Sequence, residues 1–455
     1  MIRFRWLILA IATFLLLVAC IPKSVNLTCD TSLPNTQPPP SDKITIAIYV
    51  DGTPSMEGYV KNTTSRYVQT IELLNSILAT AGKRSQPTLQ YYRLGTTIQP
   101  ITREQFRQAQ LPKFYDGSNP NFPLQSVSQI EAAITPPDEG DKLSVIITDL
   151  YQKEADTTLL SQKIKENYLN SQRQGYAVGI LASKSEFNGT IYDVGIGGDK
   201  FPYNTEGKEP EKWHPFYVIF IGPETDIAYY FDKFAKLREE EDLPKDSQLV
   251  IFSTSIVSQL THIEGSPQLP SQLNSPLSLN DGNVAVEINN EPIELLEIDK
   301  NASEEFPIEY SVPFKQLSHT LPIESNSIAT KIQIQTFDTF DKEFKQSTDP
   351  QLEKAIEISE WKLSNSQNLD FTTKIKSSNF QQPGVYFFQV EALVKDLQEP
   401  SWWKDWNSSE NSQDGSKTHN LLKFLGELKT ITIDLMNSEG NKSIIGRFCY
   451  GIQKN

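Results

Sequence analysis

Three almost wholly apolar runs constrain the fold of this 455-residue chain more than any other feature of its sequence. They occupy residues 44–50, 143–147 and 216–221. Strands of this kind are buried on both faces, as in the parallel sheets of α/β proteins, where helices cover both sides. Segments with helical periodicity separate the three runs. We therefore predict an α/β domain over residues 43–256, with a mostly parallel sheet flanked by helices.

Weaker patterns predict the other elements of this domain. The predicted helices cover residues 67–81, 125–134, 157–173 and 227–237, and the additional strands cover residues 89–94, 176–181 and 249–252. A glycine-rich stretch, residues 183–213, interrupts the alternation of strands and helices. We interpret it as a hairpin or long loop inserted before the strand that follows it.

Short oxygen-bearing side chains follow the first of the apolar strands. Asp51, Thr53 and Ser55 alternate directly after residues 44–50, and Asp149 comes soon after residues 143–147. Ligands of α/β sheets bind beyond the carboxyl ends of the strands, so Asp51 and Asp149 are expected at the same edge. Carboxylate and hydroxyl oxygens suit hard cations such as Mg²⁺ or Mn²⁺.

Residues 43–256 resemble a von Willebrand factor type A domain, which has a Rossmann-like fold. The motif Asp51-x-Thr53-x-Ser55 is similar to the Asp-x-Ser-x-Ser of its metal-ion-dependent adhesion site, with Thr53 in place of a serine. The resemblance implies a divalent cation, Mg²⁺ or Mn²⁺, bound by these side chains. It also implies a protein ligand whose carboxylate completes the coordination of the cation.

The resemblance implies two further metal ligands. One is a hydroxyl residue in a later loop, for which Ser118 is the candidate and Asn121 the second choice. The other is Asp149, which lies in Thr148-Asp149-Leu150, where the family has glycine after the aspartate. The implied set is therefore Asp51, Thr53, Ser55, Ser118 and Asp149.

Other functions fit the same residues less well. A haloacid dehalogenase-like phosphatase would need its nucleophilic aspartate where Tyr49 stands, so that class is excluded. A metal-dependent hydrolase using the same site, and a metal-free structural protein in which Asp51 only caps a turn, both stay open. None of the four histidines has metal-ligand spacing, and no catalytic residues are evident. The sequence therefore favours binding over catalysis.

The N-terminus resembles the signal sequence of a bacterial lipoprotein. Arg3 and Arg5 precede an uncharged apolar run at residues 6–19, which ends in Leu17-Val18-Ala19-Cys20. The resemblance implies removal of residues 1–19 and lipidation of Cys20, whereas an ordinary cleaved signal would leave Cys20 free. The residue after Cys20 is not the aspartate of many inner-membrane lipoproteins, which favours the outer membrane. We expect an extracytoplasmic, periplasmic or cell-surface protein.

Residues 21–42 are rich in proline and predict an extended tether. They contain Cys29, which pairs with Cys449 or remains a free thiol. The net charge is −15, and it becomes −17 once Arg3 and Arg5 are removed with the signal. Such an acidic chain is not expected to bind nucleic acid, and lipid rather than charge would hold it at the membrane.

Residues 257–455 lose the helical period and predict a mainly β domain. A β-sandwich is expected, and an immunoglobulin-like arrangement is one form of it. The predicted strands are residues 284–288, 308–312, 332–336, 356–363, 385–394, 430–435 and 443–452, with one helix at residues 421–428. Trp402, Trp403 and Trp406 form either an exposed aromatic patch or a buried cluster, and we expect burial.

Overall fold

The protein consists of a mixed sheet with helices, followed by a mainly β region of several sheets. The computed structural model describes residues 25–30, 32–33, 43–79, 87–136, 141–151, 157–192, 200–240, 243–263, 277–280, 286–288, 290–292, 295–302, 304–364, 367–408, 413–438 and 443–455. The predicted signal and Cys20 lie outside the described residues. No helix within these ranges is long and apolar enough to cross a membrane.

The secondary structure elements are numbered in chain order. The α-helices are α1 Arg66–Ala79, α2 Arg103–Arg107, α3 Thr158–Asn167, α4 Glu224–Glu239, α5 Trp402–Asp405 and α6 Leu421–Ser438. The strands are β1 Val25–Leu27, β2 Ile44–Asp51, β3 Thr88–Leu94, β4 Gln99–Ile101, β5 Asp141–Thr148, β6 Tyr176–Ser185, β7 Asn188–Ile191, β8 Phe201–Asn204, β9 His214–Pro223, β10 Gln248–Phe252, β11 Leu277–Asn280, β12 Val286–Ile288, β13 Glu291–Pro292, β14 Leu295–Ile298, β15 Glu305–Pro313, β16 Ile328–Asp338, β17 Glu343–Gln346, β18 Ile356–Ser364, β19 Asn368–Lys376, β20 Gly384–Val394, β21 Asn407–Ser408, β22 Thr418–His419 and β23 Ile444–Lys454.

The N-terminal sheet has seven strands in the order β10-β6-β9-β5-β2-β3-β4. The parallel pairings are those of β2 with β3 and with β5, and the other pairings of the sheet are antiparallel. The prediction of a mostly parallel sheet is therefore wrong, because the sheet is mixed. The cause is the segment between β6 and β9, whose described residues form the hairpin of β7 and β8 and one 3-10 turn, Pro210–Lys212, but no α-helix. Without a helical crossover, β9 returns antiparallel and lies between β5 and β6.

The two faces of this sheet are covered from different parts of the chain. Ile46, Ile48 and Val50 of β2 join the core formed with α1 and α4. Ala47 and Tyr49, which point the other way, join the core formed with α3 and α6. Helix α6 comes from the C-terminal part, so residues 43–256 share a core with residues beyond 256.

Helix α6 corrects one prediction. The sequence pattern predicted a helix over residues 421–428 and a strand over residues 430–435, but a single helix covers both. The run Thr-Ile-Thr-Ile imitates the alternation of a strand, yet burial against the sheet decides the conformation. The buried side chains recur three and four residues apart, and they are Leu421, Phe424, Leu425, Leu428, Ile431, Thr432 and Met436.

Two other predicted helices are shorter than expected. Residues 125–134 hold only a 3-10 helix at Ile130–Ala133, because the preceding residues bond to the loop after β3. Gln125 Oε1 accepts the N–H of Thr96 in that loop. The predicted helix at residues 157–173 is α3, which ends at Asn167.

The C-terminal part is mainly β, as predicted. Its largest sheet has the order β11-β14-β23-β20-β16-β17, and a second sheet has the order β15-β19-β18. The rings of Phe371 on β19 and Phe448 on β23 lie 4.5 Å apart between these sheets. Trp402, Trp403 and Trp406 are all buried, which confirms the expected burial. The immunoglobulin-like arrangement stays a prediction.

Part of the predicted tether is attached to the C-terminal part. Strand β1 pairs in parallel with β12, and Cys29 forms a disulfide with Cys449. The side chain of Arg447 donates a hydrogen bond to the carbonyl of Asp30. The prediction of an extended tether is therefore wrong for residues 25–30. A strand and a disulfide attach these residues to the C-terminal part, although the sequence on either side is rich in proline.

Candidate metal centre

Two carboxyl groups meet at one edge of the N-terminal sheet. Strands β2 and β5 are parallel neighbours, with Val50 opposite Ile147. Asp51 and Asp149 therefore leave the sheet side by side, and they are 0% and 6% exposed. The sequence-based expectation that these two residues share an edge is in agreement with this pairing.

Four hydrogen bonds hold the carboxylate of Asp51. Oδ1 accepts the N–H and the hydroxyl of Thr53, at 3.1 and 2.7 Å. Oδ2 accepts the hydroxyls of Ser128 and Thr148, at 2.7 and 3.0 Å. Both oxygens are thus fixed by buried donors, and the carboxylate cannot change its orientation without breaking several bonds.

The network continues from Asp51 to Asp149. The hydroxyls of Thr53 and Ser55 lie 3.0 Å apart, and the interaction with the Ser55 side chain lowers the pKa of Asp149. The N–H of Tyr151 also donates to Asp149, at 3.0 Å. The oxygen-bearing side chains of this network are all buried, and they form one connected polar cluster in the interior. They are Asp51, Thr53, Ser55, Ser128, Thr148 and Asp149.

The backbone around the cluster explains how the motif is presented. Thr53 is extended and precedes the 3-10 helix Pro54–Tyr59, whose proline stands at its start. A Cβ on Gly52 would lie 2.4 Å from Arg93 Nε, so only glycine fits under this arginine. Arg93 Nη2 in turn donates to the carbonyl of Gly52 at 2.9 Å. The loop is thereby fixed between β2 and β3.

The residue after Asp149 adopts an unusual conformation. Leu150 has φ of 60°, in the left-handed region that favours glycine. Leu150 is buried, and its N–H bonds to Thr148 Oγ1 at 3.1 Å, which helps to hold the strained backbone.

Both carboxyls lie in the interior, where the ionised form is costly. Within the described ranges, no ion pair includes Asp51 or Asp149. Burial raises the pKa of Asp51, although the hydrogen bonds from Ser128, Thr53 and Thr148 lower it. Burial, together with the nearby charge of Asp51, raises the pKa of Asp149 to about 7. The charged state of this pair is therefore costly in the interior, and a bound cation would offset the cost.

The donor chemistry fits a hard cation. Carboxylates and hydroxyls supply only oxygen, which suits Mg²⁺ or Mn²⁺ rather than softer metals. The cluster has two carboxylates, and the described part of the chain holds no group of three or more His, Cys, Asp or Glu arranged as a metal site. A site here would therefore depend on Thr53, Ser55 and Ser128 as well as on the two acids.

Four of the five predicted metal-site residues come together, and Ser118 does not join them. Ser118 is exposed, and its N–H bonds to Asp116 Oδ1 at 2.8 Å. Asn121, the second choice, is exposed as well. The loop hydroxyl that reaches Asp51 belongs to Ser128, which the sequence reasoning missed. No local motif marks Ser128, since long-range contacts place its loop.

No protein-family model matches the chain, and no curated protein matches it at a significant level.

Proposed function

We propose that the protein is a lipid-anchored, extracytoplasmic binding protein of the bacterial envelope, with a von Willebrand factor type A-like domain. It would hold a protein ligand through Mg²⁺ or Mn²⁺ at the Asp51–Asp149 cluster, in adhesion or in envelope assembly. One observation carries the proposal. Two buried carboxyls and a row of hydroxyls meet at the carboxyl ends of parallel strands.

The roles of the residues follow from their contacts. Thr53 and Ser55 offer hydroxyl oxygens between the two acids, so they would hold the cation directly. Asp149 would add a carboxylate, while Asp51, fixed by Ser128 and Thr148, would orient the hydroxyl of Thr53. The cation would supply a positive centre that attracts a carboxylate of the ligand. An acidic protein otherwise repels such a group.

The disulfide supports the proposed compartment. Cys29 and Cys449 are paired, and disulfides persist mainly in oxidising environments outside the cytoplasm. This pairing also leaves Cys20 as the one cysteine of the chain outside the disulfide. It is the cysteine that the lipoprotein resemblance marks for acylation.

Calorimetric titration with Mg²⁺ and Mn²⁺ tests the metal site. We expect the wild type to bind one cation, and Asp51→Asn and Asp149→Asn to lose binding while their folding is retained. Ser128→Ala is expected to weaken binding, because Asp51 Oδ2 loses its 2.7 Å donor. Ser118→Ala is the matched control, since its exposed hydroxyl lies outside the cluster, and it should bind as the wild type does.

Three outcomes would count against the proposal in different ways. A wild type that takes up neither cation would remove the metal site and leave the structural alternative. Equal loss of binding in Ser118→Ala and Ser128→Ala would contradict the assignment of Ser128, rather than Ser118, to the site. Metal-dependent turnover of phosphoester or glycan substrates that Asp149→Asn abolishes would favour the hydrolase.

The raised pKa of Asp149 predicts opposite effects of pH with and without metal. Without metal, the folded protein keeps a proton on Asp149 up to about pH 7, whereas the unfolded chain releases it near 3.8. The free energy of unfolding should therefore fall as the pH rises between these values. Above pH 7 the ionised pair binds Mg²⁺ best, because protons no longer compete. The melting temperature with and without Mg²⁺ measures both trends.

Asp149→Asn is the control for this prediction. Its melting temperature without metal should fall less between about pH 4 and pH 7 than that of the wild type, because the contribution of Asp149 is removed, and Mg²⁺ should no longer raise it at pH 8. If Mg²⁺ stabilises the wild type equally at pH 5 and pH 8, Asp149 does not control metal binding.

A further inference from the structure

We infer that the turn between β16 and β17, residues 339–342, contacts the lipid surface to which the protein is anchored, with the side chain of Phe340 entering the membrane interface. The inference rests on the proposed lipid anchor at Cys20. It adds the orientation of the protein: the β16–β17 edge of the C-terminal sheet faces the membrane.

The first observation is the exposure of Phe340. This side chain is 91% exposed, more than any other large apolar side chain among the described residues. Leu124, the next most exposed, reaches 61%. Phe340 stands at the tip of a hairpin rather than on a flat surface. Its ring can therefore enter a membrane while the backbone around it stays in water. An aromatic ring in the interface removes a large apolar area from water.

Hydrogen bonds within the turn keep the side chain of Phe340 exposed to solvent. Asp338 Oδ1 accepts the N–H groups of Phe340 and Asp341, at 2.8 and 3.1 Å. Lys345 Nζ bonds to the carboxylate of Asp338 at 2.8 Å and to that of Asp341. The lysine thereby offsets the acidic groups beside the tip. A fixed tip loses little conformational freedom when it enters a lipid surface.

The second observation is the contact between this hairpin and the chain that leads to Cys20. Leu27 of β1 belongs to a small apolar cluster together with Phe387 of the large C-terminal sheet. Phe337 and Phe344, which face each other across the hairpin with ring centroids 5.3 Å apart, pack against the same cluster. The anchor-side strand and the hairpin thus belong to one surface region.

Chain length then limits where the anchor can lie. Val25 is fixed opposite Val286, and five peptide steps lead from it back to Cys20. Even fully extended, five residues reach at most about 18 Å. The disulfide at Cys29 prevents β1 from moving away with the lipid. Acyl chains on Cys20 therefore hold the surface around β1 close to the bilayer. Phe340 is the exposed apolar side chain in that region.

The turn is suited to a membrane that binds it through apolar contacts rather than through charge. The chain has a net charge of −15, and residues 338–345 hold three acids against Lys342 and Lys345. Anionic headgroups would repel such a surface. Zwitterionic phosphatidylcholine vesicles are therefore the appropriate probe, and insertion of Phe340 should not depend on salt.

Tryptophan fluorescence tests the contact on the full chain. Phe340→Trp protein is anchored to phosphatidylcholine vesicles through acylated Cys20, or through a maleimide phospholipid if Cys20 carries a free thiol. We expect the added tryptophan to shift to shorter wavelength on vesicles and to lose emission when the acyl chains are brominated. The wild type, measured in parallel, gives the contribution of the native tryptophans.

Leu124→Trp is the matched control, because Leu124 is exposed but belongs to the loop near the metal cluster. It should show neither the shift nor the quenching. Anchored Phe340→Trp protein that emits equally on brominated and plain vesicles would overturn the inference. This result would also leave a protein partner as the occupant of the turn. Mass spectrometry of Cys20 tests the proposed anchor separately, so failure of one does not imply failure of the other.

Discussion

Replacing Cys29 with serine is expected to lower the free energy of unfolding by about 2–5 kcal/mol. The disulfide to Cys449 joins residues 420 positions apart, so its loss frees nearly the whole chain in the unfolded state. In the folded state only the three residues of β1 pair with β12. We therefore expect residues 25–30 to detach and become accessible to protease. Chemical denaturation and limited proteolysis measure the two effects.

The other cysteines supply the controls for this prediction. Cys449→Ser should cause the same loss, and the double variant should add nothing, because both changes remove one bond. Cys20→Ser should leave the denaturation midpoint unchanged. A midpoint that does not move when the wild type is reduced would contradict the proposed contribution of this disulfide.

Replacing Trp403 with alanine is expected to destabilise the protein by about 3–5 kcal/mol, the range for truncating a large buried aromatic side chain. Trp403 is 0% exposed. Its ring lies 5.9 Å from that of Phe252 on β10, so it connects the C-terminal segment to the N-terminal sheet. The variant should therefore lower the unfolding temperature of the N-terminal sheet, although Trp403 lies 151 positions further along the chain.

Trp213→Ala is the comparison variant, since Trp213 is only half-buried beside the guanidinium of Arg66. It should cost much less than Trp403→Ala. Hydrogen exchange of the amides of β10 gives the readout that a purely local effect would not produce. If Trp403→Ala leaves their protection unchanged, the shared core does not couple the two parts.

Local patterns predicted the centre of the fold and four of the side chains in the Asp51–Asp149 cluster. Strands β2 and β5 contain continuous apolar runs. A run of this kind favours a strand that is buried on both faces, so the sequence predicted both the conformation and the burial of these segments. Asp51 and Asp149 follow directly from the ends of these strands. The antiparallel placement of β9 was not predictable in this way, because a crossover depends on what the connection folds into rather than on the strand itself.

Ser128 is the clearest example of a site residue that the sequence could not predict. Its loop is placed by Arg93, which donates to the carbonyl of Pro123, and by Gln125, which accepts from Thr96. These contacts join residues that are 29 or 30 positions apart, and no spacing in the sequence reports them. The same holds for β1, whose attachment depends on a cysteine near the other end of the chain.

Anomalous diffraction from crystals soaked in Mn²⁺ tests the central claim most directly. A site built by Thr53, Ser55 and Asp149 predicts one strong peak beside the two hydroxyl oxygens that lie 3.0 Å apart. In Asp149→Asn crystals the peak should be absent. Wild-type crystals that show no manganese at this place, or show it only elsewhere on the protein, would contradict the account.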